Sequence, residues 1–160
     1  MVETPTGSHK IALFSGENMH TLDEKSRVAV PAKFRALASW IDDKEVWVAT
    51  KGFEHCLILF TGESWQTMLR DKLGGLTMGN REHRIFIRNF VGPAVELVAD
   101  KQGRICLPQP LREYAGISKD VVILGAGKYI EVWDKDAYER DLAEHGDLGA
   151  LGETLSRLDI

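Results

Sequence analysis

The sequence predicts an α+β protein in which two copies of one unit intertwine to close a small β-barrel decorated with helices. Three observations predict it. A thirteen-residue segment recurs without gaps 77 residues further on. Strand-like and helix-like segments follow both copies in the same order. A single unit has too few strands to close a core, whereas 160 residues suffice to bury one without disulfide or metal support.

The repeat is Asp23-Glu-Lys-Ser-Arg-Val-Ala-Val-Pro-Ala-Lys-Phe-Arg35 against Asp100-Lys-Gln-Gly-Arg-Ile-Cys-Leu-Pro-Gln-Pro-Leu-Arg112. In Val28-Ala-Val-Pro31 the β-branched residues favour an extended chain. Pro31 cannot donate to a ladder but suits the first turn of a helix. Phe34, Leu37, Ala38 and Ile41 then recur at helical spacing. Pro108 repeats the switch, with Leu111, Tyr114 and Ala115 on the buried face and Gly116 ending the helix. Val46–Thr50 and Val121–Leu124 read as strands, each followed by a glycine-containing turn and a second strand, Cys56–Phe60 and Tyr129–Trp133. Thr61 or Gly62 caps a helix with Trp65, Met68, Leu69 and Leu73 on its apolar face. Asp134 caps another, with Tyr138 and Leu142 facing in. Gly74-Gly75 breaks the first of these, and Asn80–Phe90 reads as a further helix carrying three arginines. The chain thus divides into repeat 1 over 14–63, a helical connection over 64–89, repeat 2 over 90–136, and a C-terminal helix with an acidic tail over 137–160. In that tail Leu148, Leu151, Leu155 and Leu158 form a one-sided stripe, weakened by Gly149 and Gly152. It packs on its own domain, packs on a neighbouring subunit, or frays.

Composition excludes several classes. Apolar residues at 44% and charged residues at 28% exclude wholesale disorder. No apolar run approaches the ~18 residues of a membrane span, and Met1–Lys10 lacks the apolar stretch of a signal peptide. Cys56 and Cys106 sit in apolar runs and read as reduced core residues of a cytoplasmic protein. The five histidines are scattered, neither cysteine has a partner motif, and no phosphate loop, dinucleotide fingerprint or nucleophile elbow occurs. No metal, no cofactor and no catalytic residue is expected; the chain does not read as an enzyme. A net charge of −4 argues against indiscriminate coating of nucleic acid. That total hides an asymmetry. Residues 131–160 hold nine acidic residues against three basic, while 81–112 carry a net charge of +3.

The informative feature is the duplicated Asp-x-x-x-Arg turn. Asp23 and Asp100 are placed to structure their loops by accepting backbone N–H bonds. Arg27 and Arg104 either pair with those aspartates as a brace or reach outward to phosphates and base edges. Lys25 and Lys101 lie in the same loops at different places. Two basic loops per chain, multiplied by oligomer symmetry, would form an array of anion contacts suited to repeated DNA sites.

Phe14-Ser-Gly-Glu-Asn-Met-His-Thr-Leu-Asp-Glu-Lys-Ser-Arg-Val-Ala-Val-Pro31 resembles the opening signature of the MraZ family, bacterial transcriptional regulators with two SpoVT/AbrB-like repeats. Asp100-Lys-Gln-Gly-Arg-Ile-Cys-Leu-Pro108 resembles the second repeat, and the likeness runs from about Leu13 to about His145. The resemblance implies a swapped-hairpin β-barrel assembled as a homo-oligomeric ring, located in the cytoplasm and nucleoid. It implies binding to double-stranded DNA at direct repeats upstream of the division and cell-wall gene cluster. Lys25 and Arg27, with Lys101 and Arg104, are the expected DNA contacts, and Asp23 and Asp100 the loop-structuring residues. A protein-interaction or assembly module on the same fold, without DNA, is the competing reading. One departure stands out: the family usually has glycine before the first motif's arginine, and this chain has Ser26. Either Ser26 takes a left-handed turn at a cost of about 1 kcal/mol, or the first loop adopts another turn.

Overall fold

The computed structural model describes residues 12–160; the reading of Met1–Lys10 lies outside them. Strand β1 (Phe14–Thr21) leads through the first Asp-x-x-x-Arg loop into β2 (Arg27–Ala29). Pro31 then starts α1 (Ala32–Arg35), a single turn with Phe34 in the core. The helical spacing through Ile41 is not realised. The chain leaves the helix after Arg35 and forms β3 (Ser39–Ile41), hairpinned to β4 (Lys44–Lys51). Asp42 and Asp43 both have φ > 0, at 50° and 61°, as a two-residue type I′ hairpin turn requires. That turn overrides the periodicity and leaves Leu37 and Ile41 exposed.

β5 (Leu57–Thr61) is buried throughout. The Thr61 hydroxyl accepts the Ser64 amide at 3.0 Å and caps α2 (Gly62–Asp71). Asn80 caps α3 (Arg81–Phe86), which continues as a π-helical turn through Val91 and buries Phe90. β6 (Val95–Val98) and β7 (Arg104–Cys106) flank the second loop. α4 (Gln109–Ala115) begins after Pro108 and ends at Gly116, whose φ of 63° is the left-handed C-terminal stop. β8 (Asp120–Gly127) and β9 (Ile130–Asp134) form the second hairpin. Asp134 caps α5 (Lys135–His145), accepting from the Ala137 amide at 3.2 Å. α5 packs on the sheet through Ala137 and Tyr138. Leu142, expected to face in, is exposed because the helix's later turns do not pack on the core. A 3₁₀ turn (Leu148–Leu151) and α6 (Gly152–Arg157) end the chain.

Every strand pairing among the described residues is antiparallel. β1 pairs β8, β8 pairs β9, β9 pairs β5, β5 pairs β4, and β4 also pairs β3 and β6, making one seven-stranded sheet. β2 and β7 form a separate two-stranded ribbon. The strand entering each loop therefore pairs with the other repeat's hairpin: β1 with β8, and β6 with β4. Side-chain alternation sorts the core into layers. Trp47, Ala49, Leu57, Leu59, Val121, Ile123, Ile130 and Val132 share one cluster with Val28, Phe34, Ile105 and Leu111 of the ribbon, α1 and α4. From the opposite face, Val48, Ile58 and Phe60 pack with Trp65 and Phe90. Val122 and Trp133 pack with Cys56 beside α5. Cys56 is buried, but Cys106 is exposed. Ile105 and Leu107 are the residues that turn inward there, so alternation sends Cys106 out.

Candidate nucleic-acid interface

The β2–β7 ribbon brings the two motifs together. Val28 faces Ile105, and Arg27–Cys106 and Ala29–Arg104 flank that central pair. In repeat numbering this register maps onto itself, so the ribbon has local twofold symmetry. The hydrogen bonds just beyond it obey the same symmetry. Val30 N–H donates to Gly103 O at 3.0 Å, and Leu107 N–H donates to Ser26 O at 3.0 Å.

Each loop is wound around its aspartate. Asp23 Oδ1 accepts the amides of Lys25 and Arg27, both at 2.9 Å, while Oδ2 accepts Arg27 Nε at 2.7 Å. Asp100 Oδ1 accepts the amides of Gln102 and Arg104 at 2.9 Å, and Oδ2 accepts Arg104 Nε at 2.9 Å. The backbones close alike: Asp23 N–H reaches Arg27 O and Asp100 N–H reaches Arg104 O, each at 2.9 Å. These donors stabilise the ionised carboxylates. The backbone amide of Arg27 above all, against a smaller desolvation effect, holds Asp23 below the usual aspartate pKa. The Arg104 amide does the same for Asp100.

The Asp–Arg brace is therefore present in both loops. It engages each arginine mainly through Nε, leaving the outer guanidinium edge. Arg104 Nη1 lies 3.6 Å from Asp23 Oδ2, which links the two loops across the ribbon. Both arginine side chains remain 31% exposed. Bracing and outward contact are thus compatible, since a guanidinium carries five donors in a fixed fork. Lys25 and Lys101 are exposed at the loop tips, and their ammonium groups have no partner among the described residues.

The possibility of a different turn in the first loop is not realised. Ser26 has φ 59° and Gly103 has φ 76°, so both loops turn with the same hand. Three bonds to Asp23 and the ladder bond at Ser26 O over-determine the conformation and hold a serine where glycine is easier. Sequence reasoning missed one neighbour of this surface. Cys106 lies opposite Arg27 in the ribbon, with Sγ 3.4 Å from Lys25 O. Two apolar flanks suggested a core thiol, and only the strand alternation reveals its outward position. Elsewhere, desolvation above all, with Glu131 nearby, pushes the buried Cys56 thiol far above its ordinary pKa, which leaves it no thiolate for chemistry. Among the described residues no cluster of His, Cys, Asp and Glu is arranged to hold a metal. No helix there is long and apolar enough to cross a membrane.

The sequence model of the family described as "MraZ protein, putative antitoxin-like" matches residues 13–78 and 90–150. The chain belongs to the MraZ family. Its relatives include the protein named transcriptional regulator MraZ of Acetivibrio thermocellus. That protein is 43% identical over 127 residues, 79% of this chain and 85% of the relative. The protein of the same name from Carboxydothermus hydrogenoformans is 40% identical over 126 residues, 79% of this chain and 84% of the relative. The one from Clostridium tetani is 36% identical over 148 residues, spanning 92% of this chain and the whole of that MraZ protein.

Proposed function

We propose that the protein is a sequence-specific DNA-binding transcriptional regulator, not an enzyme, working in the cytoplasm at the nucleoid. The relatives named as transcriptional regulators support the broad role. One observation carries the finer one: the two Asp-braced loops stand side by side on one ribbon, each with an outward guanidinium edge and a lysine at its tip. Arg27 and Arg104 read base edges or phosphates, Lys25 and Lys101 neutralise phosphates, and Asp23 and Asp100 shape the loops. The targets on this reading are direct repeats upstream of the division and cell-wall gene cluster. Repeated sites suit a homo-oligomeric ring that presents many such loop pairs, because avidity multiplies modest single contacts. The exchange of β1 and β6 between the two hairpins supports reading the fold as a swapped-hairpin barrel.

A mobility-shift titration on DNA upstream of the protein's own gene tests this. Binding should fall steeply with salt, with a slope of log K against log salt of about −0.9 per neutralised phosphate. Binding that is absent at low salt, or indifferent to salt, refutes the reading and leaves the protein-interaction module.

A further inference from the structure

We propose that Arg35 and Glu45 are positioning residues that clamp the Asp100–Arg104 loop from beneath, so that two loops of the same shape are unequal in rigidity and as DNA readers. The second half of this rests on the regulator reading above.

Glu45 is 2% exposed at the start of β4. A carboxylate so buried must be paired. Arg35 Nη2 donates to Glu45 Oε2 at 3.1 Å, Arg35 Nε lies 3.3 Å from both oxygens, and Trp47 Nε1 donates to Oε1 at 3.0 Å. Trp47 is itself fully buried, so the carboxylate is fixed on one side by the core. The arginine it holds lies directly under Gly103. A Cβ at Gly103 would stand 2.3 Å from Arg35 Cζ and Nε. The guanidinium therefore packs closely against the backbone of the loop at Gly103. Glu45 reaches the loop a second way: its carbonyl accepts the Ala99 amide at 2.9 Å, one residue before Asp100. The loop is thus held at its entry by Glu45's backbone and at its left-handed turn by Glu45's side chain acting through Arg35.

The first loop has the same entry bond, Leu22 N–H to Lys119 O at 2.8 Å, but among the described residues it lacks the side-chain clamp at its turn. Arg112, the repeat counterpart of Arg35, donates Nε to the carbonyl of Leu107 at 2.9 Å. Lys119, whose carbonyl takes the place of the Glu45 carbonyl at that entry, is exposed and carries no carboxylate, and Asp120 beside it is exposed and accepts from the Thr21 hydroxyl. Ser26 occupies the position of Gly103. The requirement for a bare backbone at Gly103 and the tolerance of a side chain at Ser26 follow from the same difference.

Amide hydrogen exchange resolved by residue is the test, with the first loop as internal control. In Arg35→Met, the Gly103 and Arg104 amides should exchange at least about tenfold faster while those of Ser26 and Arg27 stay unchanged. Glu45→Gln retains an acceptor for Trp47 and serves if Arg35→Met does not fold; it should shift the same two amides. Arg35→Lys should restore part of the protection. On DNA, loss of affinity in Arg35→Met should be non-additive with Arg104→Ala and additive with Arg27→Ala. Exchange that rises equally in both loops, or in neither, overturns the clamp and leaves an ordinary core ion pair. Wild-type protein that binds no DNA refutes the regulator reading instead, and the exchange comparison still decides the clamp.

Discussion

Ser26 holds a left-handed backbone that costs an L-residue roughly 1–2 kcal/mol and a glycine almost nothing. Ser26→Gly should therefore stabilise the protein by some tenths to ~1 kcal/mol, the relief of strain exceeding the entropy gained by the unfolded chain. For a chain of this size ~1 kcal/mol is about 2–4 °C in melting temperature, and a few tenths about 1 °C, readable by thermal unfolding. Gly103→Ser should do the opposite and more, because its φ of 76° is joined by a collision with Arg35. The aspartates make a separate prediction. Their folded pKa values are lowered, so the unfolded chain takes up protons first as pH falls. Their contribution is complete above about pH 4, the ordinary aspartate value, and is lost as pH drops through the lower folded value. An Asp23→Asn/Asp100→Asn variant should consequently show a shallower loss of stability below pH 4 than wild type in acid unfolding curves. For the arginines, Arg27→Ala and Arg104→Ala should each weaken specific DNA binding by ~1–3 kcal/mol with an unchanged circular dichroism spectrum. Unfolding of both variants would show that the brace is their whole role.

Among the elements, the β1–β8 pairing depends on one close approach. Gly125 faces Gly16 across the ladder, and a Cβ there would lie 2.3 Å from the Ser15 amide nitrogen and 2.4 Å from the Phe14 carbonyl carbon. Those atoms are backbone and cannot swing aside. Gly125→Ala should cost ~1–3 kcal/mol in urea unfolding, while Gly74→Ala, with open space around it, should be near neutral. This contrast also shows what a sequence reveals. The punctuation was legible because it is local chemistry: Pro31 and Pro108 open helices, Thr61 and Asp134 cap them, and Gly116 stops one. The long hairpin strands were legible from their apolar runs. The face assigned to α1 was not, because Asp42-Asp43 forms a hairpin turn without glycine. β1 is largely polar and β6 spans four residues, so neither carries a strong pattern. At the site, the repeat revealed both loops. It could not reveal Arg35 beneath Gly103, since that contact joins one repeat's helix to the other repeat's turn.

At the scale of the whole molecule, charge and apolar surface are segregated. The braced loops lie on the part of the chain with a positive balance, and the last thirty residues carry nine acidic against three basic. Leu148, Leu151 and Leu158 stay exposed, so the tail's stripe is not buried against its own domain. Free in solution, such a stripe is a liability unless a partner covers it. On the ring reading the partner is a neighbouring subunit, and a heterologous contact of that kind closes a ring when its rotation divides the circle. Deleting residues 147–160 should then reduce the assembled mass on a sizing column with multi-angle light scattering. The core layers do not involve these residues, so the unfolding of the individual fold should change little. DNA binding should change in two opposed ways. Specific affinity should fall, because fewer loops act together. Non-specific affinity at low salt should rise, because removing Asp147, Glu153 and Asp159 against Arg157 leaves the chain less acidic. An unchanged mass with both affinities unchanged would assign the tail no part in assembly or in DNA discrimination, and the ring reading would then need closure through another surface.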